Sequence, residues 1–454
     1  MRILTLLYSS ALIIGAFVAS HAKELPNIVL IIADDCTYRD LGCYGGQAHT
    51  PNIDALASEG MRFTRCFQSA PMCSPTRHSI YTGQHPVKSG AYPNHTFVEE
   101  ETKSIVQYLK PLGYRVGQSG KTHVQPESVF SWEKIPGDRN PDFEEIDGFI
   151  EECTDRREPF CLLLCSNEPH TPWDKGDPSR YELSKIKLPP YFVDTPETRE
   201  GMQRYLAEIT YFDEEVGKTI ELLKKHGQFE NTLLIVLSEQ GSALPFAKWT
   251  CYDNGLQSGF IAYWNGYIEP GSTNHAMVEY IDLLPTFIEL AGGEVDDVVD
   301  GRSLLEVFAG KQDHKDVVFG EMTSRGINSG PESFGIRSVR TDRYKYIWNF
   351  TPEVKFTNAC TVAPEFQSWI KLAEAGDADA LDKVNRYHFR PEFELYDLQF
   401  DPLEWNNLAG RIEYEEVEFA LRDMLLDWMA FCGDQGQKTE MNALARIRRP
   451  KKVK

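Results

Sequence analysis

The sequence predicts an α/β protein: a large mixed, mostly parallel sheet between helices, followed by a smaller α+β part with a short antiparallel sheet. Three observations lead there. Residues 27–33 (NIVLIIA), Phe160–Cys165 (FCLLLC) and Thr232–Leu237 (TLLIVL) are near-continuous apolar runs, the pattern of strands buried on both faces. Helical patterns alternate with these runs through short connections, as βα units of a parallel sheet do. After about Gly320 the pattern changes to short strands close together. The chain of 454 residues is therefore expected to divide into a leader (1–22), a main α/β unit (23–320) and a C-terminal α+β unit (321–454).

The elements follow in order. Arg2, the apolar stretch 3–18 and the small residues Ser20 and Ala22 form a secretory leader pattern, so an exported protein is expected. The apolar stretch is short for a bilayer span of about 20 residues. No later stretch is longer and equally apolar, so no stable membrane insertion is expected. The strand at 27–33 ends in Asp34-Asp35. Thr50 as N-cap and Pro51 in the first turn open a helix that runs through Ala57 and closes at Gly60. Ser74-Pro75 open a second helix to about Tyr81, and a third spans about 102–110, stopped by Pro111 and Gly113. Tyr205, Ile209, Phe212, Val216, Ile220 and Leu223 share one face of a long helix that ends at Gly227. A strand is expected at 260–264 and a helix at 278–291, closed by Gly292-Gly293. Residues 336–340 and 344–348 flank a turn and read as an antiparallel hairpin, with a further strand at 393–398 and a last helix at 414–431. The tail 446–454 is strongly basic and reads as a solvated end.

Charge and cysteine usage narrow the function classes. A net charge of −21 argues against nucleic acid as a partner, because phosphate contacts need a basic face. It leaves room for a small anion in a locally basic pocket. Ten cysteines in 454 residues are too few for a disulfide scaffold, and none forms a zinc-like C-x-x-C pair. Asn94-His95-Thr96 and Asn349-Phe350-Thr351 fit the N-glycosylation pattern.

The stretch Cys73-Ser74-Pro75-Thr76-Arg77 carries the chemistry. Pro75 starts a helix, so Cys73 sits at its N-terminal edge, where free N–H groups and the dipole favour an anion. Arg77 follows one turn on, and its fork suits a tetrahedral oxyanion. Alone, this is equally a buried structural cysteine before a helix. Asp34 and Asp35, at a strand's end, are hard oxygen ligands of the kind Ca²⁺ or Mg²⁺ takes, or a simple cap or turn. Glu239-Gln240 end a second buried strand and could complete an oxygen cage. Lys121 and His123 follow Gly120, His170 follows Glu168-Pro169, and Lys248 follows the Glu239 turn. All lie just beyond strand ends, where ligand sites of open α/β sheets gather.

These motifs resemble the type I sulfatases of the alkaline phosphatase superfamily. Cys73, Pro75 and Arg77 match the family's C-x-P-x-R maturation motif, and Thr82-Gly83 match the end of its helix. The opening IVLIIADD and the later TPNIDALASEGMRF are similar to the family's first strand and helix. The segments at 120–129, 190–196 and 394–408 are most similar to the heparan N-sulfatases (sulfamidases). The resemblance implies an alkaline-phosphatase-like sandwich and a sulfuric ester or sulfamate hydrolase. It implies that a formylglycine-generating enzyme oxidises Cys73 to Cα-formylglycine, whose hydrate is the nucleophile. It further implies that Asp34, Asp35, Glu239 and Gln240 bind Ca²⁺, in preference to Mg²⁺, together with residue 73. Arg77 and Lys121 would fix the hydrate and sulfate charge, and His123 would accept a proton as sulfate leaves. Lys248 and His170 would bind the sulfuryl oxygens and protonate the leaving group.

The chain departs from the family pattern in three places. Glu239-Gln240 stand where the family has Asp-Asn or Asp-His, each one methylene longer, a change that Ca²⁺ with its flexible geometry tolerates. Thr76 replaces the commoner Ser, and Lys248 stands where sulfamidases carry Arg. The favoured substrate is a sulfated saccharide carrying N-sulfoglucosamine; the alternative is an O-sulfatase on polysaccharide or aryl esters. A formylglycine phosphodiesterase and an inactive sulfated-glycan binding protein rank below both.

Overall fold

The computed structural model describes residues 25–447. The expected leader at 1–22 and the tail beyond Ile447 lie outside them. A nine-stranded sheet forms the centre, from β1 (Asn27–Ile32), β2 (Met61–Phe67), β3 (Arg115–Gly120), β4 (Glu133–Lys134), β5 (Phe160–Cys165), β6 (Thr232–Leu237), β7 (Gln257–Tyr263), β8 (Ser272–Asn274) and β9 (Val278–Glu279). The spatial order is β4-β3-β5-β1-β6-β7-β2-β8, with β9 also on β2. All neighbours run parallel except β7, which is antiparallel to both β6 and β2. The expected mostly parallel sheet is therefore present. The middle strands β5, β1 and β6 are the three apolar runs, fully buried because helices cover both faces.

Alternation along β1 divides the core. Val29 and Ile31 pack with Tyr205, Ile209, Phe212 and Val216 of the long helix Pro196–Lys225. Ile28, Leu30 and Ile32 pack on the other face with Ile80, Leu284 and Phe287. A second, four-stranded antiparallel sheet follows: β10 (Val318–Thr323), β11 (Gly335–Arg340), β12 (Tyr344–Asn349) and β13 (Phe393–Asp397), in that order. The helix Glu415–Cys432 lies against it through Leu421, Leu425 and Trp428. The expected hairpin is β11–β12, paired from Ile336↔Asn349 to Arg340↔Lys345.

Several elements differ from expectation. The third helix starts only at Ile105, because Ser104 and Gln107 form a reciprocal capping box there, and it ends at Leu109. The expected helix at 278–291 is α-helical over Leu283–Leu290, entered through a 3-10 turn at Tyr280–Asp282; Val278 and Glu279 are taken by β2 as a strand. The long helix begins at Pro196, with Thr195 accepting from the Thr198 N–H. Of the two glycosylation patterns, Asn349 is buried, and its amide donates to Pro391 O (2.7 Å) and Glu394 Oε1 (2.7 Å), so it offers no acceptor in the folded chain.

Two buried ionisable groups in this frame carry testable consequences. Arg337 is wholly buried and pairs with Asp434 and, at 2.9 Å, with Glu440, which also accepts from Thr323. Arg337→Met leaves two uncompensated carboxylates and is expected to lower unfolding stability by about 3–5 kcal/mol, read by denaturant titration. On the long helix, burial pushes the Glu215 carboxyl up to about 8. The folded state then holds a proton that the unfolded carboxyl releases near its ordinary value. This contribution is fully present below the unfolded value and is lost as pH rises through about 8. The melting temperature should accordingly fall between pH 6 and pH 8, and Glu215→Gln should flatten that slope.

Candidate active site

Because β1, β3, β5 and β6 are parallel, their C-terminal ends meet at one edge of the sheet. Backbone hydrogen bonds continue past the strand ends and draw the turns together. Asp34 N donates to Glu168 O (3.0 Å), Cys36 N to Ser238 O (3.3 Å) and Lys121 N to Cys165 O (2.8 Å). Asp35, His123 and Glu239 take left-handed backbone, at φ 66°, 51° and 60°. Non-glycine residues adopt this only where the surroundings impose it, and such positions gather at functional sites. Gly120 is also left-handed (φ 85°), and a Cβ there would lie 2.1 Å from Cys165 O, so glycine is required immediately before Lys121.

Cys73 is the first residue of the helix Cys73–Thr82, one residue earlier than expected, and Gly83 closes the helix in left-handed conformation. The helix is buried along its whole length. The Cys73 Sγ lies 3.8 Å from Asp35 Oδ1, 3.2 Å from Gln240 Nε2 and 3.3 Å from Lys248 Nζ. Lys248 also reaches Asp35 Oδ1 at 2.6 Å, and Gln240 Nε2 donates to the same oxygen at 2.6 Å. Arg77 Nε is 2.8 Å from Glu239 Oε1, while its other nitrogens donate to Lys121 O (3.2 Å) and Ala33 O (3.4 Å). Lys121 forms an ion pair with Asp34, and His170 Nε2 stands 3.7 Å from Asp35 Oδ2. His123 is bonded to His95, Nε2 to Nδ1, at 2.9 Å.

One ligand atom each from Asp34, Asp35, Cys73 and Glu239 falls within 4.8 Å of the others, all four residues buried. Asp34 Oδ1, Glu239 Oε2 and Gln240 Oε1 are buried without a hydrogen-bond donor among the described residues. Buried carboxylate oxygens need a partner. A cage of hard oxygens with open lone pairs fits a divalent cation such as Ca²⁺.

The Sulfatase family profile matches residues 26–293, and the profile for the C-terminal part of N-sulphoglucosamine sulphohydrolase matches 241–358. The chain belongs to the sulfatase family. As a sulfatase it hydrolyses sulfate esters. It is 34% identical over 429 residues to an ulvan-active sulfatase of Formosa agariphila, covering 92% of this chain and 82% of that protein. It is 25% identical over 466 residues to the N-sulphoglucosamine sulphohydrolase of Homo sapiens, covering 88% of this chain and 89% of that one. A solved structure in complex with its substrate D-glucosamine-2-N,6-O-disulfate shares the fold at TM-score 0.69 and 18% identity, over 91% of this chain and 99% of that one.

Burial and the crossed charges set the protonation of the sulfatase's side chains. Burial pushes the Cys73 thiol up to about 12, against the pull of the Lys248 ammonium. Burial alone would raise Asp35 and lower Lys248; their mutual attraction reverses both, leaving Asp35 below and Lys248 above the usual values. Burial brings Lys121 down to about 7 and His170 down to about 4. His123 falls well below the usual imidazole value through burial and the nearby Lys121. Glu239 is raised by burial despite Arg77.

All ten candidate residues converge on this sheet edge. Beside them stands His95, hydrogen-bonded to His123 and not among the residues singled out from sequence. It entered the sequence reading only as the middle of a glycosylation pattern, and nothing in its neighbours marks it for His123.

Proposed function

We propose that the sulfatase acts on a sulfated saccharide, with Cys73, converted to Cα-formylglycine, at the reacting centre. The observation that carries this is the buried Cys73 ringed by Asp34, Asp35, Glu239, Gln240, Arg77 and Lys248. A thiol with its ionisation pushed up to about 12 is a poor nucleophile at neutral pH, so the position makes sense as a modified residue. The formylglycine hydrate supplies an oxygen nucleophile that can release sulfate by reverting to the aldehyde. Asp34, Asp35, Glu239 and Gln240, together with residue 73, would hold a Ca²⁺, which when bound would supply Lewis-acid polarisation of the sulfate oxygens.

The remaining groups divide the work. Lys248, kept charged beside Asp35, and Lys121 bind sulfate oxygens. Arg77 holds Glu239 in place and adds positive charge at the helix N-terminus. His123, kept neutral, accepts a proton at the reacting centre, and His170 and Lys248 serve the leaving group.

An O-sulfated polysaccharide is the favoured substrate, supported by the 34% identity to an ulvan-active enzyme. N-sulfoglucosamine, the substrate favoured from sequence, is the second reading. It is supported by the C-terminal family match and the human N-sulphoglucosamine sulphohydrolase. The leader pattern at 1–22 supports export, to periplasm or medium, or to lysosomes in a eukaryote. No helix among the described residues is long and apolar enough to cross a membrane. The test is a sulfate-release panel on enzyme co-expressed with a formylglycine-generating enzyme. Release from O-sulfated oligosaccharides is the expected result. Release only from N-sulfoglucosamine would install the second reading, and release from neither, with phosphate freed from an aryl phosphodiester, would sink both.

A further inference from the structure

We propose that His95 is a positioning residue for the reaction, fixing the tautomer of His123. The inference rests on the role given above to His123. The two rings are joined by one hydrogen bond, His123 Nε2 to His95 Nδ1, at 2.9 Å, with centroids 4.9 Å apart. The other ring nitrogen of His123, Nδ1, is buried and has no hydrogen-bond partner among the described residues. For Nδ1 to accept a proton it must be bare, so the single ring proton of neutral His123 sits on Nε2 and is donated to the lone pair of His95 Nδ1. His95 then carries its own proton on Nε2, 3.5 Å from the Asn94 side-chain amide, whose oxygen, unpartnered among the described residues, turns to that position to accept it. When His123 takes up a proton at Nδ1 it becomes a cation, and the His95 acceptor stabilises it. The charged groups acting on His123 are Lys121, Arg77 and Lys248, and a protonated His95 would repel it as they do. Burial and Lys248 hold His95 below the usual imidazole value, and it is in this neutral form that it accepts the hydrogen bond.

The fold holds His95 for this task. Both histidines have left-handed backbone, at φ 58° and 51°, an uncommon conformation retained where the structure enforces it. The residue after His95 is tied down twice. Thr96 N donates to Ser74 Oγ (3.4 Å), on the helix that begins with Cys73. Thr96 Oγ1 donates to Arg446 O (2.9 Å), and Arg446 Nε donates to Gly90 O (2.9 Å). Tyr92 adds a hydrogen bond to Thr439 O (3.0 Å). The C-terminal segment thus clamps the loop that presents His95. His95 itself is exposed and lines, with His123, Glu100 and Lys134, a cavity of about 700 Å³.

The test compares His95→Ala, His95→Asn and His123→Ala in matured enzyme, with a small aryl sulfate as substrate. His95→Ala should lower kcat by about 10- to 100-fold, as loss of an orienting partner does, with KM nearly unchanged. His95→Asn, whose amide oxygen can accept from Nε2–H, should recover most of that loss. Unchanged kcat in His95→Ala, alongside an inactive His123→Ala, overturns the proposal and leaves the role of His123 intact. A rise in KM alone, equal in both His95 variants, also overturns it, because His95 would then be a substrate contact. Full activity in His123→Ala would instead remove the role of His123. Should a His95 variant fail to fold, ¹⁵N imidazole shifts of the unsubstituted enzyme decide: a bare Nδ1 on His123 is expected, and a protonated Nδ1 overturns the proposal.

Discussion

Replacing Cys73 by alanine is expected to reduce sulfate release by about 10⁴-fold or more while leaving the fold intact. The size of the effect follows from covalent chemistry. If residue 73 supplies the nucleophile, its removal leaves only the binding and charge of the surrounding groups, and no other side chain in the cage can substitute. Lys121 and Lys248, ion-paired with Asp34 and Asp35, are placed to bind sulfate and not to attack it. The stability effect should be small, since the thiol contributes only three polar contacts, each longer than 3 Å. Cys161 is equally buried but sits within β5, so Cys161→Ala serves as the control that retains activity. The check is sulfate release by both variants beside circular dichroism melts. A Cys73→Ala enzyme with more than a few per cent of the original rate would remove the covalent reading.

The second large effect concerns the cation. Asp34, Asp35 and Glu239 are three buried carboxylates within 4.8 Å of one another, each paired with one cation, Lys121, Lys248 and Arg77 respectively, while Asp34 Oδ1 and Glu239 Oε2 have no hydrogen-bond partner among the described residues. Buried carboxylate oxygens left unpaired in this way are costly. A bound Ca²⁺ should therefore act on rate and on stability together. Treatment with a chelator is expected to lower kcat at least 100-fold. Ca²⁺ at about one hundred times its Kd should stabilise the folded chain by about 2.7 kcal/mol, seen as a rise in melting temperature. Asp34→Ala and Glu239→Ala should each abolish the Ca²⁺-dependent part of that rise. Mg²⁺ should restore less, because it demands a tighter octahedron than two adjacent side chains lengthened by a methylene readily give. A melting curve indifferent to both chelator and Ca²⁺ would mean that no cation occupies the cage.

Much of this centre was legible in the sequence because its parts obey local rules. The β1, β5 and β6 runs announce buried parallel strands, and residues just past such strands converge whatever lies between them. Cys73-Ser74-Pro75 declares a helix start through the proline. What stayed hidden depended on contacts distant in sequence. β2 (MRFTRCF) carries two arginines and reads as no strand; it is one because β7, β8 and β9 pair with it. The helices Pro364–Glu374 and Ala378–His388 escaped notice because each is only 11 residues long and amphipathic, although Pro364, the left-handed Gly376 and the Asp377 N-cap mark their ends. His95 could not be assigned because its significance is a single bond to a residue 28 positions away. The 278–291 segment looked helical throughout, and only the free edge of β2 converts its first two residues to strand.

The burial of the helix Cys73–Thr82 has a temporal consequence. Every one of its residues is buried, and Cys73 is only 2% exposed. If Cys73 is oxidised as proposed, the enzyme that does so must reach it, and in the folded chain Cys73, Pro75 and Arg77 are buried. Conversion and folding would then compete for the same newly made segment, and folding would be the step that closes the opportunity. Chains that fold first are expected to be stable and well formed, yet permanently silent. The specific activity of a preparation then records a race won or lost during synthesis, and adding the oxidising enzyme to folded protein afterwards should not raise it.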